Sequence, residues 1–527
     1  MIQAPDTAVR DTSAPDRAPL VLVALILGAT VANLNLAVAN VALPDIGAAF
    51  DASQTQLNLV AVSYSLGLAA SVLYLGAVGD RYGRKRMLLG GVALSVPACL
   101  LAAWAPSIPV LIAARLLGGV SAGMAYPTTL ALITALWSGA PRTKAIALWS
   151  AVGGAMAALG PLVAGFLLGE FWWGSVFLVT LPLAAITLVL AGRLVPAHVN
   201  ETTESVDHLG GVLSIIAVGA LVIGITFAPE PGDAAIAVGL LLLTVAAVGA
   251  FVRRQRRAPN PLYDLDVAGR RIFWVAAVGG IVVFGSLMGA MFVGQQYLQN
   301  VLGYSTLEAG ASILPAAVFM VIVAPRSATL VETKGSRFTL LAGYVSCFLG
   351  FVAMLVLWTD HSAYWQVALA YSLVGIGVGF AGTPASHALT SSVPVHRAGM
   401  ASGTADLQRD LGGSILQSIL GALLTAGYAA VFTAEIAASP QASQVSDATQ
   451  SQLLRSYSSA EATAQQYPQY ADQITTAARE AFTQGQNWAY LAGAVAIALG
   501  ALLVALMFPR HDDEVRLLAE YAATDAR

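Results

Sequence analysis

The segment Asp406-Leu-Gln-Arg409-Asp410-Leu-Gly-Gly puts two carboxylates and a guanidinium inside an otherwise apolar stretch. Of the 29 acidic residues in the chain, Asp406 and Asp410 alone fall well inside an apolar span. Four residues apart, they share one face of a helix, and Arg409 stands three residues from Asp406. One guanidinium cannot neutralise both acids. A carboxylate without a dedicated partner in a medium of low dielectric can take up and release a proton. The competing reading is a structural Asp–Arg pair with Asp406 at an interface. A second cation in an apolar run, Arg115, opens Arg115-Leu-Leu-Gly-Gly-Val-Ser-Ala-Gly. An arginine placed there costs about 2.5 kcal/mol or more, so it must face a polar interior and find a partner. Asn35, Gln295 and Gln296 are amides in similar surroundings and are candidates for a cavity wall, the two glutamines also for an outer gate. His387 stands alone and reads as a packed or interfacial residue ahead of a proton relay.

Other chemistries lack their residues. There is no paired metal-ligand spacing, no nucleotide loop of the Gly-Lys-Thr type and no Ser/His/Asp set in a plausible context, so an enzyme or a non-transporting sensor has little support. Cys99 and Cys347 fall in different apolar spans, which argues against a disulfide framework or a thiolate metal site. A net charge of -3 with basic residues dispersed along the chain gives no sign of nucleic-acid binding.

The elements that must position these residues are membrane helices. Charged residues make up 10% of the chain, apolar residues 57%, and mean hydropathy is +0.73, against roughly a quarter charged in ordinary globular proteins. Fourteen spans long enough to cross a bilayer are expected near 19–43, 57–78, 87–104, 108–136, 145–168, 174–195, 210–228, 234–252, 272–297, 306–325, 338–358, 363–391, 399–432 and 486–508. Short loops rich in Lys and Arg stay on the cytoplasmic side. Arg81, Arg84, Lys85, Arg86, Arg142, Lys144, the arginines at 253–257 and 270–271, Lys334, Arg337 and Arg397 then share one side, and the short loops opposite hold none. Both termini are cytoplasmic on this count. Residues 1–18 read as a disordered tail, and the first span is too long for the core of a cleaved signal peptide. Residues 433–485 are expected outside. They are rich in Ala, Gln, Ser and Thr, and form either a polar insertion or a small cap with helices near 448–466 and 470–484.

Gly76-Ala-Val-Gly-Asp80-Arg81-Tyr-Gly83-Arg84-Lys-Arg86 is a burst of charge between two spans. At an offset of 252 residues, Asp80, Gly83 and Lys85 are answered by Glu332, Gly335 and Arg337, which marks the chain as a duplicated bundle. Gly160-Pro161-Leu-Val-Ala-Gly165 gives the fifth span a bend and a groove, and Gly412 stands at the same offset from Gly160. These motifs, with the passages Phe292-Val-Gly-Gln295-Gln296-Tyr and Val393-Pro-Val-His-Arg-Ala-Gly, resemble those of the major facilitator superfamily, specifically its fourteen-helix drug:proton antiporters, over most of residues 19–432.

The resemblance implies an all-α polytopic membrane protein. Its expected parts are a tail at 1–18, a six-helix domain at 19–195, two extra helices and a basic linker at 196–271, a second six-helix domain at 272–508 including the loop 433–485, and a tail at 509–527. It implies a conformational latch at Gly76, Asp80, Arg81, Gly83 and Arg84, in which Gly76 lets two helices approach closely and Asp80 meets a neighbouring cation. It implies an antiporter motif at Gly160, Pro161 and Gly165, and proton coupling through Arg115, Asp406, Arg409 and Asp410. Where relatives carry a carboxylate in the first span, this chain has Asn35, which cannot titrate, so coupling is expected to have moved to the thirteenth span. Further departures are Gly118, Ser121, Ala164, Gly174 and Thr180. The expected activity is proton-coupled export of an amphipathic drug, antibiotic or related small molecule by alternating access, without a cofactor, by a monomer in a bacterial cytoplasmic membrane. The alternative is an uncoupled or differently coupled carrier of a lipid or specific metabolite.

Overall fold

The computed structural model describes residues 15, 17–137, 139–197, 205–228, 232–394, 398–439 and 445–525, excepting the side chains of 139, 140, 142–144, 146, 147, 150, 151, 153–155, 157, 158, 398, 399 and 402. Most of the expected N-terminal tail, the side chains of Arg142 and Lys144, and Arg397 lie outside the described residues. Every regular element among the described residues is a helix.

The first apolar span folds as two arms, α1 (Ala18–Ala37) and α2 (Ala39–Phe50), which meet at Val38. Ser53 and Gln56 form a capping box that starts α3 (Gln54–Tyr82). α3 reverses into α4 (Arg84–Ala103) through Gly83 at φ 117°, an angle that glycine takes without strain. α5 (Ile108–Leu136), α6 (Gly139–Glu170), α7 (Ser175–Leu178) and α8 (Leu181–Leu194) complete a first bundle, in which α1 packs on α5, α6 and α8, and α5 on α3 and α4. A Cβ at Gly119 would collide with the Tyr64 carbonyl, so glycine is what allows α3 and α5 to cross backbone to backbone.

α9 (His208–Phe227) and α10 (Ala234–Gln255) pair with each other, and α11 (Leu265–Ala268) is a single turn. A second bundle follows: α12 (Arg271–Asn300), α13 (Thr306–Ala311), α14 (Leu314–Leu357), α15 (Tyr364–Ser391) and α16 (Ala398–Ala438), then α17 (Asp447–Arg455), α18 (Tyr457–Gln466), α19 (Ala471–Met507) and α20 (His511–Asp525). α12 packs on α15, α16 and α19, and α14 on α15 and α19. α9 touches both α3 and α16, so the α9–α10 pair straddles the junction of the bundles. Its base is anchored by Asp207, whose carboxylate accepts from Gly210 N–H at 3.1 Å, Arg254 Nε at 2.9 Å and Gln255 Nε2 at 2.9 Å. Burial opposes its charge, but these hydrogen bonds outweigh it and hold the Asp207 carboxyl below the usual carboxylate range.

Twelve helices among the described residues are long and apolar enough to cross a membrane, against the fourteen expected. The spans expected at 306–325 and 338–358 run together as Thr306–Leu357, broken at Gly335 (φ 84°) inside α14. Of the fifth span, the apolar part described is Leu159–Glu170. Gly335 therefore reverses the chain at the position matched by Gly83, and the sequence repeat is a repeat in backbone geometry. Large apolar side chains face outward along the helices, Val245 at 72% and Leu506 at 67% exposure among them, as a hydrocarbon solvent requires.

Residues 433–485 hold α17, α18 and the polar start of α19, a helical cap over one end of the bundles. Tyr428 of α16 donates to the Leu453 carbonyl at 3.1 Å, and Tyr457 meets Phe482 edge to face. The cap also reaches the first bundle, where Asp51 pairs with Arg455 at 2.7 Å and accepts from Ser459 Oγ at 2.7 Å. The opposite end, where α3 turns into α4, carries Arg81, Arg84, Lys85 and Arg86 and is the arginine end.

Candidate functional site

α16 delivers the charged cluster to the centre of the molecule. Asp410 is 2% exposed, with Oδ1 3.3 Å from Arg409 Nε and Oδ2 buried without a hydrogen-bond partner among the described residues. Arg409 reaches across to the first bundle, donating from Nη1 to Tyr126 Oη at 2.8 Å while its guanidinium lies 4.7 Å from the centroid of that ring. Tyr126 in turn packs on Trp149, whose Nε1 donates to Thr129 Oγ1 at 3.0 Å. The sequence leaves open which acid Arg409 serves, and the structure pairs it with Asp410. Arg409 engages its neighbour Asp410, and Asp406 forms no hydrogen bond or ion pair among the described residues. The guanidinium lies on the Tyr126 side, where the ring face and the hydroxyl satisfy it together.

Arg409 and Asp410 border a cavity of about 280 Å³ between the bundles. Its apolar wall is Trp149 and Tyr126 on one side and Phe284, Met288, Met291 and Met320 on the other. Its polar groups are Asn33, Asn40, Ser65 and Gln417. A space of this kind, mostly apolar with one acid-base pair, suits a bulky amphipathic guest held largely by apolar contact. Flexible methionines let such a wall adapt to shape.

Arg115 lies elsewhere. It is 2% exposed, donates from Nη1 to the Asn35 carbonyl at 2.7 Å, and is sandwiched between the rings of Tyr64 and Phe177 at 4.9 and 5.6 Å. No carboxylate pairs with it among the described residues, and its Nη2 has no partner there. The partners it finds are a carbonyl and two π faces, contacts that fix α1 just before its break.

The cavity candidates fare differently from expectation. Asn35 points away from the cavity: Nδ2 donates to the Val31 carbonyl and Thr180 Oγ1, both at 3.1 Å, and Oδ1 accepts from Cys99 Sγ at 3.4 Å. Gln295 is fully buried inside the second bundle, donating to the Ala309 carbonyl at 2.8 Å. Gln296 accepts from Gln54 Nε2 of the other bundle at 2.9 Å, near the cap. None of the three lines the cavity.

At the arginine end, the expected close approach at Gly76 is not made in this conformation, since a Cβ there would meet nothing within 4 Å. Asp80 pairs with Arg84 at 2.8 Å within its own bundle, and Arg84 Nη1 donates to the Ala131 carbonyl at 3.3 Å. Arg81 lies over the ring of Tyr82, and Gly83 supplies the turn. The glycine motif of α6, by contrast, is tightly engaged near the cap. A Cβ at Gly160 would sit 2.5 Å from Ala37 Cβ, and one at Gly165 would collide with the Thr306 carbonyl. Pro161 lends its carbonyl to a contact with Gly310 that no side chain at 310 would permit. Thr306 Oγ1 donates to the Gly165 carbonyl at 3.0 Å, closing the bundles on each other.

Tyr126, Trp149, Asn40, Ser65 and Gln417 are site residues that the sequence reading passes over. Two carried a usable signal: Tyr126 stands three turns along the helix from Arg115, and Gln417 two turns from Asp410. Trp149 and the methionines carry none, because apolar side chains do not declare which helix face they serve.

The chain matches the Major Facilitator Superfamily family model over residues 25–417. It is 33% identical over 413 residues to the multidrug resistance protein Stp of Mycobacterium tuberculosis, covering 78% of this chain and 76% of that one. It is 32% identical to the multidrug efflux pump LfrA of Mycolicibacterium smegmatis, covering 95% of this chain and 98% of LfrA. Among solved structures, a bacterial homolog of the human lysosomal transporter Spinster, in an inward-facing and occupied conformation, superposes with a TM-score of 0.63 at 18% identity, over 94% of this chain and 97% of that one.

Proposed function

The chain belongs to the Major Facilitator Superfamily, a multi-pass membrane transporter and not an enzyme, and on that premise we propose that it exports amphipathic drugs or related small molecules in exchange for protons. The observation that carries this reading is Asp410, a buried carboxylate with one oxygen unpaired, bordering an apolar cavity between the bundles. A proton and a guest can compete there for one site, which is the minimum an antiporter needs. The names of Stp and LfrA support drug export as the direction and the class.

The mechanism follows from two bundles and one cavity. With the cap end shut, the guest enters from the arginine end, which positive-inside reasoning makes cytoplasmic, together with both termini. Loss of the Asp410 proton and binding of the guest favour reopening at the cap. Return requires a new proton. Counting the two arms of α14 about Gly335 separately, and α6 whole, gives fourteen crossings: six in residues 19–195, two linking helices within 196–271 and six in 272–508. Asp80, Arg81 and Arg84 then latch the state in which the arginine end is closed, with Gly76 in contact. The membrane is the bacterial cytoplasmic membrane, the working unit a monomer and the driving force the proton gradient, with no cofactor.

A second reading has one observation behind it. Asn35, which cannot titrate, is turned into its own bundle, so the first span offers no proton site, as suits an uncoupled carrier of a lipid or metabolite. Uptake of a fluorescent amphipathic dye by everted vesicles, with and without an imposed proton gradient, decides between them. Gradient-driven uptake that is lost in Asp410→Asn supports the antiporter. Uptake indifferent to both contradicts it.

A further inference from the structure

The hydrogen bonds between the bundles follow one face of α16 from Asp410 toward the cap. Ser414 Oγ lies 3.1 Å from Ser65 Oγ of α3. Gln417 Nε2 donates to Asn40 Oδ1 of α2 at 3.2 Å, and Asn58 Nδ2 of α3 donates to Thr425 Oγ1 at 3.2 Å. Gly421 leaves room for the Asn58 amide, which would lie 2.7 Å from a Cβ there. The steps along α16 from 410 to 414, 417, 421 and 425 are four, three, four and four residues, the spacing of a single helical stripe. At 1.5 Å per residue the stripe is about 22 Å long. At the inner end of the stripe, Asp410 Oδ2 is buried without a hydrogen-bond partner among the described residues.

An interface meant to stay shut gains more from apolar packing, because a buried polar pair exchanges hydrogen bonds with water for hydrogen bonds with protein and its net contribution is small. Neutral donors and acceptors suit an interface that opens. They bond to each other when it is closed and to water when it is parted, and neither state leaves them orphaned. The groups that can titrate or carry charge near Asp410 are Arg409 and Asp406 on α16, Tyr126 of α5 and Tyr64 of α3. α12 presents Phe284, Leu287, Met288 and Met291 to the cavity, and α9 packs with Val222 and Ile223. The stripe beyond Ser65 is hydroxyls and amides.

We infer that this stripe is the route by which a proton reaches Asp410 from the cap side. When the bundles part at the cap, Asn58, Thr425, Asn40, Gln417, Ser65 and Ser414 line a file of water that ends at the Asp410 carboxylate. A hydronium ion in the file gives its proton to Oδ2, leaving water and a neutral acid; no other bond changes. Closure at the cap re-forms the pairs seen here, expels the file and prevents a leak. The inference rests on the proton coupling proposed above and names the residues that serve it.

The test is the dependence of dye uptake on lumenal pH in everted vesicles, whose lumen faces the cap. In the double variant Asn58→Leu/Thr425→Val, which alters no cavity-lining residue, half-maximal uptake is expected at a lumenal pH at least one unit more acid than in the wild type. That shift is a tenfold higher proton concentration, with the maximal rate and dye affinity retained. Thr425→Ser, which keeps the hydroxyl, should restore the wild-type midpoint. If the double variant fails to fold, as judged by dye binding, Thr425→Val alone carries the measurement. An unchanged midpoint, with or without a lower maximal rate, overturns the route and leaves these residues as a structural gate. PH dependence surviving in Asp410→Asn overturns the coupling itself; failure of the route alone appears as dependence lost in Asp410→Asn but unshifted in Asn58→Leu/Thr425→Val.

Discussion

Arg409 and Asp410 are consecutive residues, yet one bonds across to the first bundle and the other keeps an oxygen free at the cavity. By that division of labour the proposed coupling assigns the proton to Asp410 ahead of Asp406. Asp410→Asn should abolish gradient-driven dye uptake, and Asp406→Asn should reduce it by less; the reverse order in the same vesicle assay contradicts the assignment. Tyr126→Phe removes the hydroxyl that receives the Arg409 hydrogen bond. A hydrogen bond to a charged group is worth about 1.5 kcal/mol or more, so a roughly tenfold fall in uptake is expected in the fully folded variant. Asn35→Asp should not create a proton site. Aspartate cannot donate to the Val31 carbonyl as Asn35 does, and its charge would sit against Cys99 and Thr180. A lower thermal midpoint with no new pH dependence is the expected outcome. Charges in an apolar run were legible in the sequence because they are rare and need a reason. The facing of Asn35 and Gln295 was not, because an amide serves a cavity wall or a buried helix contact equally well.

Helices explain why the closed end is the cap end. Gly165 and Gly310 bring α6 and α13 together at backbone distance, so Gly165→Val or Gly310→Val should wedge the cap end open. A cysteine introduced at Thr425 should then be labelled faster by a membrane-impermeant thiol reagent, in the background of each variant, than in the parent; equal labelling rates would show that the seam does not move with these glycines. The cap helices present a contrast in magnitude. Arg455 and Asp51 are bonded at 2.7 Å but both are substantially exposed. Such pairs are worth about 0 to 1 kcal/mol, so Arg455→Gln should leave the thermal midpoint nearly unchanged, whereas loss of buried Leu453 should not. Asp207 gives the anchor of α9 and α10 a defined response to acid. Its folded carboxyl is held below the unfolded value, so its contribution is complete above about pH 4 and is lost as pH falls through the folded value. In Asp207→Asn the midpoint at pH 7 should be lower and its decline below pH 4 shallower. The loop motif and its repeat were legible as elements, because charge, glycine and an offset of 252 residues mark a turn independently of packing. The helical cap was left open by the sequence, since Ala, Gln and Ser are as much at home in a solvated helix as in a coil. The continuity of α14 through Gly335 is a matter of backbone direction that hydropathy does not record.

The whole molecule is two packed bundles joined along α3, α16 and the straddling α9, with a cavity between them and inter-bundle hydrogen bonds on its cap side. Each inter-bundle hydrogen bond described lies at the level of Arg409 or nearer the cap, while at the arginine end a Cβ on Gly76 would meet nothing within 4 Å. That asymmetry is what the proposed alternating access requires of one of its two states. The duplication of the chain was visible in its motifs, but which end is shut depends on long-range contacts between residues far apart in sequence, which no local pattern encodes. The central claim is that guest and proton share Asp410. It is tested most directly by the protons released when a transported dye is added to the purified protein in weakly buffered solution near neutral pH. The account predicts release from the wild type and none from Asp410→Asn at equal dye occupancy; equal release from both, or none from either, would contradict it.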